Sequence, residues 1–393
     1  MMRRTTGGFR LILGCLLLVF CCLTAAAQAM GEGTEALDST LQKVLKSHKA
    51  SGACVLVAKD GEIVYRLEYG FAAKRSKIPV TDRTYFRIAS VTKMVTGIHV
   101  MQLVEQGLLD LDTDISQYLG YTVRNPYAKQ TPITLRMLMS HTSSLDPHGG
   151  YTSERKSLWD LIALENKKKN NWYDETPGTV YRYSNFGAGI LGALIEAVTG
   201  KNLNDSITES LFSPLNISAA YAACLLDSPE DVPDLYTDTG NLYASRNNLL
   251  GREWDDSVNP DRHYRITIGS LWIRPEDLCR LGIMLCDGGL LEGQTVLQPE
   301  TVEAMKAEHN GAGGVTAPTP YGLCLQRETS LVSGKTLYGH QGLSEGLLSN
   351  VYFDPETRFV FVLCTNGSRN NQDHRVAHLS RRIFEIIWEE FGE

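Results

Sequence analysis

The apolar positions follow two rhythms along the chain. Between Thr34 and Lys49, residues Leu37, Leu41, Val44 and Leu45 recur at helical spacing, which predicts one amphipathic helix. Two strand-like runs follow, Cys54-Val-Leu-Val57 and Ile63-Val-Tyr-Arg-Leu-Glu-Tyr69. They are joined through Asp60-Gly61, a dipeptide suited to the positive φ angles of a tight hairpin. Helical spacing returns from Ser90 to Gln106, with Val91, Met94, Val95, Ile98, Met101 and Leu103 apolar and Gly107 placed as a stop.

From about 108 to 260 no paired strand signals occur. Helical stretches broken by Gly, Pro and Asn take their place, among them Thr134–Ser140 and Gly187–Val198, the latter closed by Thr199-Gly200. Strand patterns reappear at Gly322–Leu325, Leu347–Phe353 and Phe359–Cys364, the last two separated by the turn Asp354-Pro-Glu-Thr357. An amphipathic helix from about Asp373 to Phe391 ends the chain. Strands at both ends bracketing a helical middle predict an α/β (α+β) fold: an antiparallel sheet flanked by terminal helices, with an inserted all-helical subdomain. The sheet part is expected at about 34–85 and 265–393 and the helical part at about 90–260, all within one domain over 30–393.

Residues 1–29 have a different character. Arg3, Arg4 and Arg10 precede the apolar run Leu11–Leu23, and Ala27-Gln28-Ala29 supplies small residues for cleavage. The run is shorter than the roughly 20 residues that span a bilayer, so a signal peptide is expected, and with it a secreted or cell-envelope protein. Membrane attachment would come only through an uncleaved leader. The chain carries a net charge of −7, and the leader holds no acidic residue, so its removal makes the balance more negative. Such a surface repels phosphate backbones, which excludes nucleic acid as the expected partner. Three of the nine cysteines lie in the leader. Of the other six, Cys54, Cys324 and Cys364 sit inside apolar runs and are expected as buried thiols, with pairing left open.

Candidate chemistry begins at Phe86-Arg-Ile-Ala-Ser-Val-Thr-Lys93. Ser90 and Lys93 are three apart at a helix start, so their side chains can meet. A serine hydroxyl is a poor nucleophile until a base takes its proton, and a lysine whose pKa is lowered by burial can do so. In Pro177-Gly-Thr-Val-Tyr-Arg-Tyr-Ser-Asn185, Tyr183 and Asn185 would point to one side of an extended segment; a phenol there can shuttle a proton and an amide can hold a carbonyl. In Tyr338-Gly-His-Gln-Gly342, glycines on a strand allow close approach of a substrate, and His340 is a polar group that could touch it.

Together and in this order, Ser90-Val-Thr-Lys93, Tyr183-Ser-Asn185 and His340-Gln-Gly342 resemble the S-x-x-K, Y-x-N and K/H-x-G motifs of the serine β-lactamase and penicillin-binding family. Leu138-Met-Ser-His-Thr-Ser-Ser-Leu145 is similar to the family's L-L-x-H-T-S-G-L stretch, and the resemblance runs from about residue 36 to 388. It implies a β-lactamase/transpeptidase-like fold and attack by Ser90 on a carbonyl to form an acyl-enzyme, with Lys93 and Tyr183 sharing the proton transfers. It also implies an oxyanion site between the N–H groups of Ser90 and Leu343, with Asn185, His340, Gly342 and Leu343 binding substrate and no cofactor.

Departures bear on the substrate. His340-Gln-Gly342 stands where class C β-lactamases carry K-T-G, which removes a cation that would pair with a β-lactam carboxylate. In this motif the chain instead resembles the family's esterases, D-amino-acid peptidases and some D,D-carboxypeptidases. The expected function is an exported serine hydrolase cleaving a small ester or a D-amino-acid amide or peptide, with a β-lactamase or a catalytically silent penicillin-binding scaffold as alternatives. Ser144 replaces the usual Gly before Leu145, and Asn216-Ile217 stands where Gly-Met is common. Gly187-Ala-Gly-Ile-Leu-Gly192 matches a dinucleotide fingerprint but lacks a βαβ context, so helix packing explains it better. His374 and His378 lack the intervening Glu of a zinc helix, and His141 is expected to be structural.

Overall fold

The computed structural model describes residues 34–153, 155–309, 320–369 and 376–393. The expected leader at 1–29, Asp373 and His374 lie outside them. The chain divides into two compact units, Met1–Ser47 and His48–Glu393. The described part of the first is a helix over 34–47, two residues shorter than expected at its end.

In the second unit the early and late strands join in one seven-stranded sheet. Its members are β1 (Gly52–Lys59), β2 (Glu62–Ala73), β3 (Ile78–Pro79), β4 (Gln326–Glu328), β5 (Leu337–Ser344), β6 (Leu347–Asp354) and β7 (Phe359–Thr365). The order is β4-β5-β6-β7-β1-β2-β3, with every neighbouring pair antiparallel. Asp60 (φ 53°) and Gly61 (φ 85°) make the expected two-residue turn between β1 and β2. The turn after Asp354 is closed by that side chain, which accepts from Glu356 N–H at 3.1 Å and Thr357 Oγ1 at 2.9 Å.

Four helices matter for the site: α1 (Val91–Glu105), α2 (Asn185–Thr199), α3 (Pro275–Cys286) and α4 (His378–Phe391). The two faces of the sheet take different helices. Phe359 and Phe361 of β7 stack edge-on against Phe384 and Trp388 of α4. Val360 and Val351 turn the other way, onto α3, where a Cβ at Gly282 would lie 2.6 Å from Val360. Covered on both faces, β7 is buried at every position, which is why its sequence reads as an unbroken apolar run. The α1 helix is buried on nearly its whole circumference and packs against β5 and α2. It is a central helix rather than an amphipathic one.

The structure corrects two expectations. Gly322–Leu325 is not a strand; pairing with β5 begins at Gln326. Cys324 adopts φ 57°, which breaks the extension, and its N–H donates to Met139 O at 2.9 Å, so this apolar run is a buried loop. The middle of the chain is also not all-helical. Phe86–Arg87, Trp272–Ile273 and Ala219–Ala220 form a small sheet, and Leu235–Tyr236 pairs with Leu242–Ala244. Pieces of two or three residues are too short to show an alternating pattern. The six described cysteines are free thiols; Cys224 is half-buried and the others are buried.

Candidate active site

Ser90 occupies the N-cap position of α1 without a capping side-chain hydrogen bond, immediately after a backbone turn held from several sides. Ile88 donates to Leu271 O at 3.0 Å, and its carbonyl accepts from Ser349 Oγ of β6 at 2.6 Å. The following residue, Ala89, has φ 45°, a left-handed conformation that costs a residue with a Cβ about 1–2 kcal/mol. Such strain persists only where the surroundings dictate it, and here it sets Ser90 at the floor of a cleft.

Lys93, one turn on, is 1% exposed. Its Nζ donates to Ser90 Oγ at 3.1 Å and to Ile268 O at 2.7 Å. Among the described residues no carboxylate pairs with it. Burial without a counter-ion favours the neutral amine and brings Lys93 down to about 7. Such a lysine can take up a proton near neutral pH.

Tyr183 closes the other side, its ring centroid 5.3 Å from Lys93 Nζ. Desolvation of its hydroxyl raises the phenol, and the side chain of Ser90, which it engages, partly opposes the rise. The residue as a whole remains 37% exposed, so Tyr183 sits between the buried amine and an open side of the cleft while its hydroxyl is desolvated. Ser184 accepts from Gly187 N–H at 3.1 Å and starts α2, which places Asn185 in its first turn. Asn185 engages the Tyr151 hydroxyl, while its Oδ1 is buried without a hydrogen-bond partner. A buried acceptor left unpaired costs about 1–3 kcal/mol, a penalty that a bound donor would relieve.

The third motif comes alongside on β5. A Cβ at Gly342 would lie 2.3 Å from Ile88 O and 2.9 Å from Ser90 N, so only glycine lets the strand run this close. Leu343 then lines the same pocket as Ser90 and Asn185, a cavity of about 270 Å³. His340 is placed differently from the expectation. It is 1% exposed and lies behind Tyr183, ring centroids 6.4 Å apart, away from the pocket wall. Its Nδ1 is 2.6 Å from Gln341 O and must carry the proton, so Nε2 accepts from Tyr321 OH at 2.8 Å. Burial and the nearby Lys93 lower it to about 3, and it stays neutral. As placed, it braces Tyr321 rather than meeting a substrate.

His141 belongs to this second layer. Its Nδ1 accepts from Ser184 N–H at 3.3 Å, and its ring lies 4.4 Å from that of Tyr183. Sequence reasoning passed over Arg87, Tyr151, Ile268 and Arg265. Arg87 lay in plain view within the first motif. Tyr151, Ile268 and Arg265 come from irregular segments that carry no periodic signal. The glycines of Gly187–Gly192 serve packing, since a Cβ at Gly189 would lie 2.1 Å from Tyr264 O. Among the described residues no cluster of His, Cys, Asp or Glu is arranged to hold a metal ion.

Fold and cleft together set a serine at a helix start, between a buried amine and a phenol, beside a glycine-bearing strand of the sheet. The family model described as Beta-lactamase matches residues 37–384, and the chain belongs to that family. It is a serine hydrolase of the family. Penicillin-binding protein 4 of Amycolatopsis lactamdurans is 28% identical over 329 residues, 81% of this chain and 82% of that protein. Esterase EstB of Burkholderia gladioli is 30% identical over 194 residues, about half of either chain (46% and 49%). A class C β-lactamase in complex with cefoxitin shares the fold with a TM-score of 0.70 at 17% identity, over 92% of this chain and 99% of that one. The D-amino acid amidase of Ochrobactrum anthropi SV3 does so with 0.65 at 23% identity, over 90% and 99%.

Proposed function

We propose that the protein cleaves a small ester or a D-amino-acid amide through an acyl-enzyme on Ser90, outside the cytoplasm. The observation that carries this reading is the Ser90 hydroxyl set between Lys93 Nζ at 3.1 Å and the Tyr183 phenol. The Ser90 proton passes to Lys93 as Oγ bonds the carbonyl carbon, and the developing oxyanion lies against the Ser90 and Leu343 N–H groups. The carbonyl–leaving-group bond breaks as Tyr183 gives its proton to the departing oxygen or nitrogen and is re-protonated from Lys93. Water then attacks the acyl-enzyme by the reverse path. The absence of a lysine at the third motif favours ester or amide over β-lactam substrates, and the names of EstB and the amidase point the same way. Export rests on the leader pattern at 1–29.

The test is labelling of the purified chain by a fluorophosphonate probe, with Ser90→Ala as control, followed by turnover of p-nitrophenyl butyrate, a D-Ala-D-Ala peptide and nitrocefin. Labelling that vanishes in Ser90→Ala, with ester or peptide turnover above nitrocefin turnover, is the expected result. An unlabelled native chain would favour a silent scaffold.

A further inference from the structure

The pocket beside Ser90 carries an unbalanced charge. Its wall includes Arg87 and Arg265, and no aspartate or glutamate lines it. This contrasts with a chain whose net charge is −7. Neither arginine forms an ion pair among the described residues. Arg87 Nε donates to Gly269 O at 3.0 Å, and Arg265 Nη1 to Thr152 O at 3.2 Å, both backbone carbonyls. Elsewhere the protein pairs such groups: Arg66 with Glu276, Arg124 with Asp114 and Arg182 with Glu175. Arg87 is partly buried at the end of a short strand and is desolvated without an ion-pair partner, which lowers its guanidinium from its ordinary value; Arg252 adds to the effect, and Tyr243 and Glu345 oppose it. Holding an unpaired guanidinium on a pocket wall is unfavourable unless an anion arrives to meet it.

The side of the cleft on which these arginines lie identifies the part of the substrate they would meet. A leaving group must sit beside its proton donor, Tyr183, which does not line this pocket. The fragment retained on Ser90 therefore occupies the cavity walled by Asn185, Leu343 and the two arginines. We propose that Arg87 and Arg265 select substrates whose acyl fragment carries a carboxylate, so that the preferred ester or amide is the monoester or monoamide of a dicarboxylic acid. This deepens the acyl-enzyme reading above and rests on it. Arg87 and Arg265 are specificity residues; the bonds made and broken at Ser90 are unchanged.

The test compares 4-nitrophenyl glutarate monoester with 4-nitrophenyl valerate, which has a methyl group where the glutarate has its carboxylate. The readout is the ratio of their kcat/KM values, which cancels the amount of folded enzyme. The native chain should favour the glutarate ester by roughly tenfold or more, and Arg87→Gln or Arg265→Gln should lower the ratio by roughly ten- to hundredfold, the worth of a charge-assisted hydrogen bond. Arg87→Lys and Arg265→Lys should restore part of it. Should Arg87→Gln fail to fold, Arg265→Gln on its half-exposed segment carries the test. A native ratio at or below one, or a ratio unmoved in both glutamine variants, overturns the inference and leaves the acyl-enzyme reading intact. A chain that neither takes the fluorophosphonate nor turns over either ester overturns both.

Discussion

Two regions of this molecule bury ionisable groups, and they handle the charge in opposite ways. In the helical part, Glu196 is fully buried on α2 and every contact is matched: Oε1 accepts from Leu203 N–H at 2.8 Å and lies 2.7 Å from His263 Nδ1, while Oε2 accepts from Asn259 N–H at 2.7 Å. The buried acid ties α2 to the segment running from Asn259 towards Ile268. At the cleft, Lys93 is equally buried but meets only a hydroxyl and a carbonyl. A charge matched by an opposite charge becomes structure, and a charge left unmatched becomes reactivity. The two regions meet in one segment, because the chain held by Glu196 at Asn259 and His263 goes on to present Ile268 O to Lys93.

The largest effect that would break this contrast lies at Lys93. Lys93→Met should cut fluorophosphonate labelling and ester turnover at least a thousandfold, as loss of one member of a catalytic unit does. If Lys93 is an unmatched buried cation, the same variant should unfold a few degrees higher than the native chain. Loss of both activity and stability would mean that Lys93 is structural after all. Glu196→Gln tests the other region. Its amide presents N–H groups where a carboxylate oxygen accepted, so urea unfolding should show a loss of about 3 kcal/mol. Labelling of Ser90 well below the unfolding midpoint should survive. A loss under about 1 kcal/mol would reduce the Glu196 contacts to ordinary hydrogen bonds.

The pH profile gives a smaller effect. With Lys93 at about 7, the fraction of neutral amine falls with each unit below that value. The kcat/KM for an uncharged ester should therefore drop by about tenfold per unit on the acid side and level off above 7. A profile flat from pH 5 to 8 would remove Lys93 from the role of proton acceptor.

Local patterns made much of this legible in advance. The β1–β2 hairpin, the start and stop of α1 and the C-terminal helix follow from periodicity and turn chemistry, whereas the grouping of Ser90, Lys93, Tyr183, Asn185 and Leu343 is implied by the resemblance of the three motifs to the family's. What stayed hidden depended on contacts between distant segments. Gly322–Leu325 reads as a strand because burial alone selects its residues, and nothing local announces the left-handed Cys324 that makes it a loop. His340 alternates correctly along β5, yet only the placement of Tyr321 and Tyr183 puts it behind the pocket. Ser144 (φ 60°) and Asn216 (φ 51°) explain themselves in the same way: each occupies a left-handed position where the family commonly has glycine. Arg87 is visible beside the first motif and Arg265 lies in an irregular segment, but that both go without an ion pair could not be read from either, since a sequence does not show absences in space.

The smallest effect separates the two regions by the sign of their pH dependence. The ring nitrogens of His263 lie 2.7 Å from Glu196 Oε1 and 3.4 Å from Asp255 Oδ2, and these acids raise it despite its burial. A raised histidine contributes stability that is complete below its unfolded value, near 6.5, and is lost as pH climbs through the folded value. Lys93 works the other way. The folded chain releases its proton at about 7, whereas the unfolded chain holds it until about 10.4, so stability gains with pH across that window. Urea midpoints taken from pH 6 to 9.5 should contain both slopes. His263→Gln should remove the decline above 6.5, and Lys93→Met should remove the rise above 7. If His263→Gln leaves the profile unchanged, the ring is not charged in the folded protein. Glu196 would then be held by uncharged donors alone, the His263 Nδ1–H and the Leu203 and Asn259 N–H groups, and a fully buried acid without a cation would be the closer counterpart of Lys93 rather than its opposite.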